Sequence, residues 1–210
     1  MKLIIGNKRL SSWSLRPWLL MSYFNIPFEE VLIPLDQPET KTEILKYSPS
    51  GFVPCLVDQD LIIHDSLAIS EYLNDKFPRL GLWPSDINVR ANARAISCEM
   101  HSGFQGLRKL LPHDSQKELK NFDYSIVEKD LNRIFEIWKT CLNQYQGPFL
   151  FGQFSIADAM FAPVVNRLFS YGVKYPEQLS TYIHLIRQLP AHQKWIEIGR
   201  LETYSMPFHI

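Results

Sequence analysis

A chain of 210 residues has room for one large domain or two small ones, and 46% hydrophobic against 21% charged residues supplies ample material for a core. Lys plus Arg and Asp plus Glu each number 22, so the net charge is zero; no basic run or stripe is present to hold a phosphate backbone, and nucleic acid is not an expected partner. No stretch approaches membrane-spanning length, and the three cysteines (Cys55, Cys98, Cys141) are too few and too far apart for a disulfide framework or a zinc site, so the chain reads as cytoplasmic, with no membrane partner and no metal.

Lys2 to Ile5 reads as a strand, Leu15 to Phe24 as a helix, and Glu29 to Pro34 as a second strand ending at proline. Lys41 to Tyr47 is a short helix, closed by Ser48-Pro49-Ser50-Gly51. Cys55-Leu56-Val57 and Leu61-Ile62-Ile63 flank Asp58-Gln59-Asp60, the pattern of two strands joined by a hairpin. A helix then runs from Asp65-Ser66 to about Phe77, completing a compact α/β unit. The stretch 78–86, with two prolines and a glycine, reads as linker sequence, which divides the chain into residues 1–78, a linker at 79–86 and an all-helical segment 87–210. Within that segment Val127, Leu131, Ile134, Phe135, Trp138 and Leu142 recur at helical spacing, and Asn143 to Pro148 is expected to end their helix. Further helices start near Ser155 and lie around Pro176 to Leu189 and His192 to Gly199.

Four short motifs stand out. In "SSWSLRP", Ser11, Ser12 and Ser14 interrupt an apolar run; serine is a preferred N-cap, so the plain reading is a helix start. Pro17 lacks an N–H and is expected in the first helical turn, which makes Ser14 the cap and leaves Ser11 and Ser12 in the turn before it. In "SGFVPCLV", Pro54 suits the first residue of a strand. The ordinary reading is a trans strand-entry proline; a cis Val53–Pro54 bond is the alternative expected if Val53 turns its N–H and C=O outward toward an extended peptide ligand. In "HDSLAISEYL", Ser66 caps a helix whose N-terminus could also receive a ligand carboxylate, with Asp65 beside it for a ligand ammonium. In "FSIADAMF", Ser155 and Asp158 have capping-box spacing and a structural role.

Taken in order, these motifs resemble the cytosolic glutathione S-transferases over nearly the whole chain, and "SSWSLR" looks most like the zeta class and its bacterial relatives, with Trp13 where those carry cysteine. The resemblance implies an α/β thioredoxin-like N-terminal domain and an all-α C-terminal domain, glutathione as co-substrate, a small organic electrophile as second substrate, and a homodimer. It implies that a serine hydroxyl at the first helix favours the glutathione thiolate. A thiol of pKa ~8.5 falls toward ~3.5–7.5 at a helix N-terminus or beside donors. Ser12 lies four residues before Arg16, the offset of related serine-type classes, and is favoured; Ser11 matches the zeta-class candidate. The same resemblance puts Ser11, Ser12, Trp13, Val53, Asp65 and Ser66 around glutathione. Phe52 stands where many relatives have Lys or Gln, which leaves the contact to the glycyl end unassigned, with Lys41 an alternative. His101, Ser102, Gln105 and Arg108 fall where the zeta class lines its electrophile pocket, at helical spacing; they read either as a polar helix face or as a pocket for an acidic substrate. The expected activity is thiolate attack to form a thioether. The alternatives are maleylacetoacetate isomerase and a non-catalytic interaction protein on the same fold.

Overall fold

The computed structural model describes residues 1–204. Four strands form one sheet in the order β2-β1-β3-β4: β1 (Lys2–Gly6), β2 (Glu29–Ile33), β3 (Cys55–Asp58) and β4 (Leu61–His64). β1 runs parallel to β2 with Lys2 opposite Glu29, and antiparallel to β3 with Ile4 opposite Cys55. The β3–β4 hairpin turns at Gln59, whose φ of 54° is left-handed. The parallel pair needs a crossover, and α1 (Ser12–Tyr23) supplies it. α2 (Thr40–Leu45) and α3 (Ser66–Lys76) complete a thioredoxin-like unit, and the Val53–Pro54 peptide ahead of β3 is cis.

The rest of the described chain is helical: α4 (Ile87–Ser102), α5 (Gln105–Leu110), α6 (Glu128–Tyr145), α7 (Ile156–Ser170), α8 (Ser180–Gln188) and α9 (Pro190–Leu201). α6 starts after a short 3-10 turn and continues to Tyr145, past the break expected at Asn143; Gln146, with φ 43°, ends it. α7 is apolar nearly all round and buried along its length, the pattern of a helix enclosed by others. The segment 78–86 is anchored, because Leu82 and Trp83 are buried and the Leu82 carbonyl accepts the Ile156 N–H at 2.9 Å. One hydrophobic cluster runs from Leu3, Leu15 and Trp18 through Leu107 and Phe161 to Trp195, so the sheet side and the helical side share a core.

The Ser155–Asp158 capping box is formed. Asp158 accepts the Ser155 N–H at 2.9 Å and the Leu150 N–H at 3.1 Å. Its burial nonetheless lifts its pKa to about 6.

Candidate active site

The start of α1 differs from the expected arrangement. Ser11, not Ser14, is the N-cap: its hydroxyl oxygen accepts the Ser14 N–H at 3.2 Å and donates to Ser14 Oγ at 2.7 Å. Ser14 Oγ in turn accepts the Gly6 N–H at 3.1 Å. Gly6 closes β1, so Ser14 is drawn inward to satisfy a buried backbone donor and is unavailable as a cap. Pro17 consequently sits in the second helical turn, not the first. Ser12 is the first helical residue, 6% exposed, and its Oγ accepts from Arg167 Nη2 at 3.3 Å.

α3 also starts one residue earlier than expected. Asp65 is its cap, with Oδ1 accepting the Leu67 and Ala68 N–H groups at 2.8 and 3.1 Å. Asp65 Oδ2 accepts from His101 Nε2 at 3.0 Å. Ser66 is thereby released from capping, and its hydroxyl oxygen faces Arg16 Nη1 at 3.4 Å, joining the starts of α1 and α3.

Two guanidinium groups pack on Trp13: Arg16 and Arg108 stand 4.3 and 4.5 Å from its ring centroid. His101 meets the same ring edge-on at 5.2 Å. Burial pushes the His101 pKa down, against the pull of Asp65 and with the repulsion of Arg16 and Arg108, so the ring is neutral at pH 7. Its Nε2–H then donates to Asp65, and Nδ1 is a buried acceptor with no partner among the described residues.

His101 and Arg108 thus come together, but not on one helix. α4 ends at Ser102, Gly103 is extended, Phe104 has φ 58°, and α5 begins at Gln105, so the single polar face expected from spacing is broken. Arg108 closes the end of α4, donating to the carbonyls of Gly103 at 3.0 Å, His101 at 3.4 Å and Met100. Ser102 Oγ donates back to Cys98 O and Gln105 Nε2 to Ser102 O, and both side chains are exposed. Val53 precedes β3 and is half-buried, Phe52 is 74% exposed, and Lys41 is exposed on α2. No group of three or more His, Cys, Asp or Glu among the described residues is placed to hold a metal ion, and no helix among them is long and apolar enough to cross a membrane.

The helical side holds the loop that carries these serines. Glu202 accepts the Lys8 and Arg9 N–H groups at 2.9 and 3.0 Å. Asp114 takes the Arg9 guanidinium through both oxygens at 3.0 and 3.1 Å. The Arg9 carbonyl receives Ser115 N–H at 3.0 Å and faces His113 Nδ1 at 3.2 Å. Buried Lys8 pairs with Glu30, and its ammonium lies 5.6 and 5.4 Å from the ring centroids of Trp18 and Trp195, which pack on each other. Sequence reasoning missed this set, and it missed Arg167. The available signal was the Asn166-Arg167 pair inside an otherwise apolar helix: a charge on a buried helix must have a partner.

A thioredoxin-like sheet is thus joined to a helical bundle, with the starts of α1 and α3 lying beside Arg16, Arg108 and Arg167. Residues 10–76 match the family described as "Glutathione S-transferase, N-terminal domain". Glutathione S-transferase 1 of Dianthus caryophyllus is 30% identical over 173 residues, covering 80% of this chain and 78% of that protein. A probable maleylacetoacetate isomerase of Caenorhabditis elegans is 31% identical over 158 residues, 74% and 73% of the two chains. Among solved structures, a maleyl pyruvate isomerase, described as a bacterial glutathione S-transferase in the zeta class, superposes with TM-score 0.74 at 20% identity over 97% of this chain and 100% of that one. The chain belongs to the glutathione S-transferase family.

Proposed function

We propose that the protein is a serine-type glutathione transferase in which Ser12 donates its hydroxyl proton to the glutathione sulfur. The observation that carries this is the different engagement of the two candidate serines. Ser11 spends both its proton and an acceptor lone pair on Ser14. Ser12 only accepts, from Arg167, and no described group receives its proton. The hydroxyl that can donate to a ligand is therefore that of Ser12. The thiolate then attacks an electrophilic carbon of a small organic molecule to form a thioether.

Ser66 and Arg16 suit the γ-glutamyl carboxylate, and the loop at Val53 suits the peptide backbone of the cysteinyl residue. Asp65, already bonded on both oxygens, has its remaining lone pairs for the ammonium. His101 and Arg108, packed on Trp13, suit the wall on the electrophile side, with exposed Ser102 and Gln105 as further candidates from the same stretch. Three free cysteines, Cys55 and Cys141 buried and Cys98 exposed, suit a reducing cytoplasm. A homodimer is supported by exposed apolar groups in the thioredoxin-like unit, among them Phe52 and the edge-strand residues Leu61 and Ile62.

The test is a screen of small electrophiles with glutathione, followed by pH–rate profiles of Ser12→Ala and Ser11→Ala. Ser12→Ala should shift the profile to higher pH; an unshifted profile for Ser12→Ala with a shifted one for Ser11→Ala transfers the role. The Caenorhabditis relative's description favours a second reading, glutathione-dependent cis-trans isomerisation, in which the thiolate adds to a double bond and leaves after rotation. Turnover of maleylacetone in the same screen decides between them.

A further inference from the structure

We propose that Arg167, reaching from α7 across to the start of α1, is a positioning residue that sets the direction of the Ser12 proton. This rests on the reading that Ser12 serves the glutathione sulfur. A guanidinium donates and never accepts. Where Arg167 Nη2 meets Ser12 Oγ at 3.3 Å, the serine oxygen must receive that proton on a lone pair, and its own O–H points elsewhere. Without such a donor the hydroxyl would rotate freely between donating and accepting orientations.

The guanidinium is itself held. Nε donates to Leu111 O at 2.8 Å and Nη1 to Pro163 O at 3.2 Å, so its plane is fixed by two carbonyls and only one edge is left for Ser12. Arg167 is 3% exposed and forms no ion pair with a carboxylate among the described residues. Its charged neighbours are of its own sign: Arg108 and Arg16 each feel its repulsion or exert their own on it. Burial followed by Arg108 lowers its pKa to about 9, which still leaves it protonated at neutral pH. A buried cation lacking a counter-charge is unfavourable, and a thiolate seated on the far side of Ser12 supplies one. Arg167 therefore links the helical side of the molecule to thiol activation without itself touching the sulfur.

A structural role is the competing account, since Arg167 also ties down Leu111 ahead of the segment that clasps Arg9. The two separate in the ionisation of bound glutathione, followed by the ultraviolet absorbance of its thiolate. Arg167→Met and Arg167→Gln should each raise the thiol pKa by about half to one unit, a roughly three- to tenfold loss of thiolate at neutral pH, with little change in glutathione affinity. Met keeps the length of the stem without the charge and Gln keeps a donor, and a thermal melt of each variant separates misfolding from loss of the Ser12 bond. Arg167→Lys, retaining the charge and losing the fork, should recover part of the shift. The double variant Ser12→Ala/Arg167→Gln should be no worse than Ser12→Ala alone. An unshifted pKa in folded Arg167 variants, beside a shifted one in Ser12→Ala, overturns the positioning role and leaves the Ser12 reading intact. Additive shifts overturn it as well, because they place Arg167 directly on the sulfur. If Ser12→Ala does not move the pKa, the underlying reading falls. A crystal structure with glutathione should show Ser12 Oγ bonded to both Arg167 and the sulfur; Arg167 turned onto glutathione itself would also refute the proposal.

Discussion

Replacing Ser11 and Ser12 separately should split stability from chemistry. Ser11→Ala removes a cap hydrogen bond to Ser14 N–H and a 2.7 Å hydroxyl bond to Ser14 Oγ, in a site that is 5% exposed. The lost cap is worth about 1 kcal/mol, within a range of roughly 0.5–2. The second bond adds about 1 kcal/mol. For a chain of this size each kcal/mol moves Tm by roughly 2–4 °C, so a fall of about 4–8 °C is expected. Ser14 keeps its bond from Gly6, so the loop retains its course and the thiol pKa of bound glutathione should stay where it is in the wild type. Circular dichroism melts at fixed protein concentration give the first quantity, and thiolate absorbance titrations at saturating glutathione, below the melting transition, give the second. A Ser11→Ala protein that melts with the wild type would show that the cap network contributes nothing measurable. One that shifts the thiol pKa as far as Ser12→Ala would remove the distinction between the two serines.

Acid should unfold the protein with a defined slope. His113 and His192, buried and held at about 3 and 4, refuse protons that the unfolded chain accepts, whereas folded Asp158 keeps a proton up to about 6 that the unfolded chain has lost. Two protons favour the unfolded state and one the folded state, so stability should fall by about 1.4 kcal/mol per pH unit on acidification between roughly pH 6 and 4, and Asp158→Asn should about double that slope; urea titrations across this window that give a flat profile would contradict it. Glu202→Ala strips the acceptor from the Lys8 and Arg9 N–H groups. Faster hydrogen exchange at those two amides is expected, with a stability loss of about 1–3 kcal/mol. Trp13→Ala removes the surface on which Arg16 and Arg108 stack, each contact being worth about 0.5–2 kcal/mol, and should weaken glutathione binding in calorimetry; unchanged affinity would show that Trp13 only fills space.

The element order was legible because each segment carried a local signal: β-branched runs for the strands, a helical period in residues 127–142, and a capping box at Ser155. The cap of α1 was misplaced for a tertiary reason. Ser11, Ser12 and Ser14 have the same capping chemistry, and the choice among them was made by the Gly6 N–H, a donor belonging to a strand eight residues away. Asp65 and Ser66 were likewise exchangeable by composition; the helix took Asp65 because Ser66 faces Arg16. The polar face at residues 101–108 looked continuous because periodicity is blind to the left-handed turn at Phe104 that divides it. Arg167, His113 and Glu202 were unread because each acts on residues more than a hundred positions away.

That distance bears on where the chemistry belongs. Residues 10–76, the part recognised as the glutathione S-transferase N-terminal domain, contain the serines, the cis bond at Val53–Pro54 and the Asp65 cap. They do not contain the group that bonds Ser12, nor the groups that clasp Lys8 and Arg9, which come from α7, from residues 113–115 and from Glu202. Their core also continues outside them, since Leu15 and Trp18 pack in one cluster with Phe161 and Trp195. A fragment ending near residue 80 would therefore expose that apolar surface and release the serine loop together. The helical side supplies His101 and Arg108 beside Trp13 and the Arg167 guanidinium that bonds Ser12, the groups to which the proposed function gives the electrophile wall and the orientation of the hydroxyl. If the proposed role of Ser12 holds, a substitution at Arg167 in α7 should change thiol activation without touching a residue of the thioredoxin-like unit, and a thiolate titration of Arg167 variants that matches the wild type would refute this.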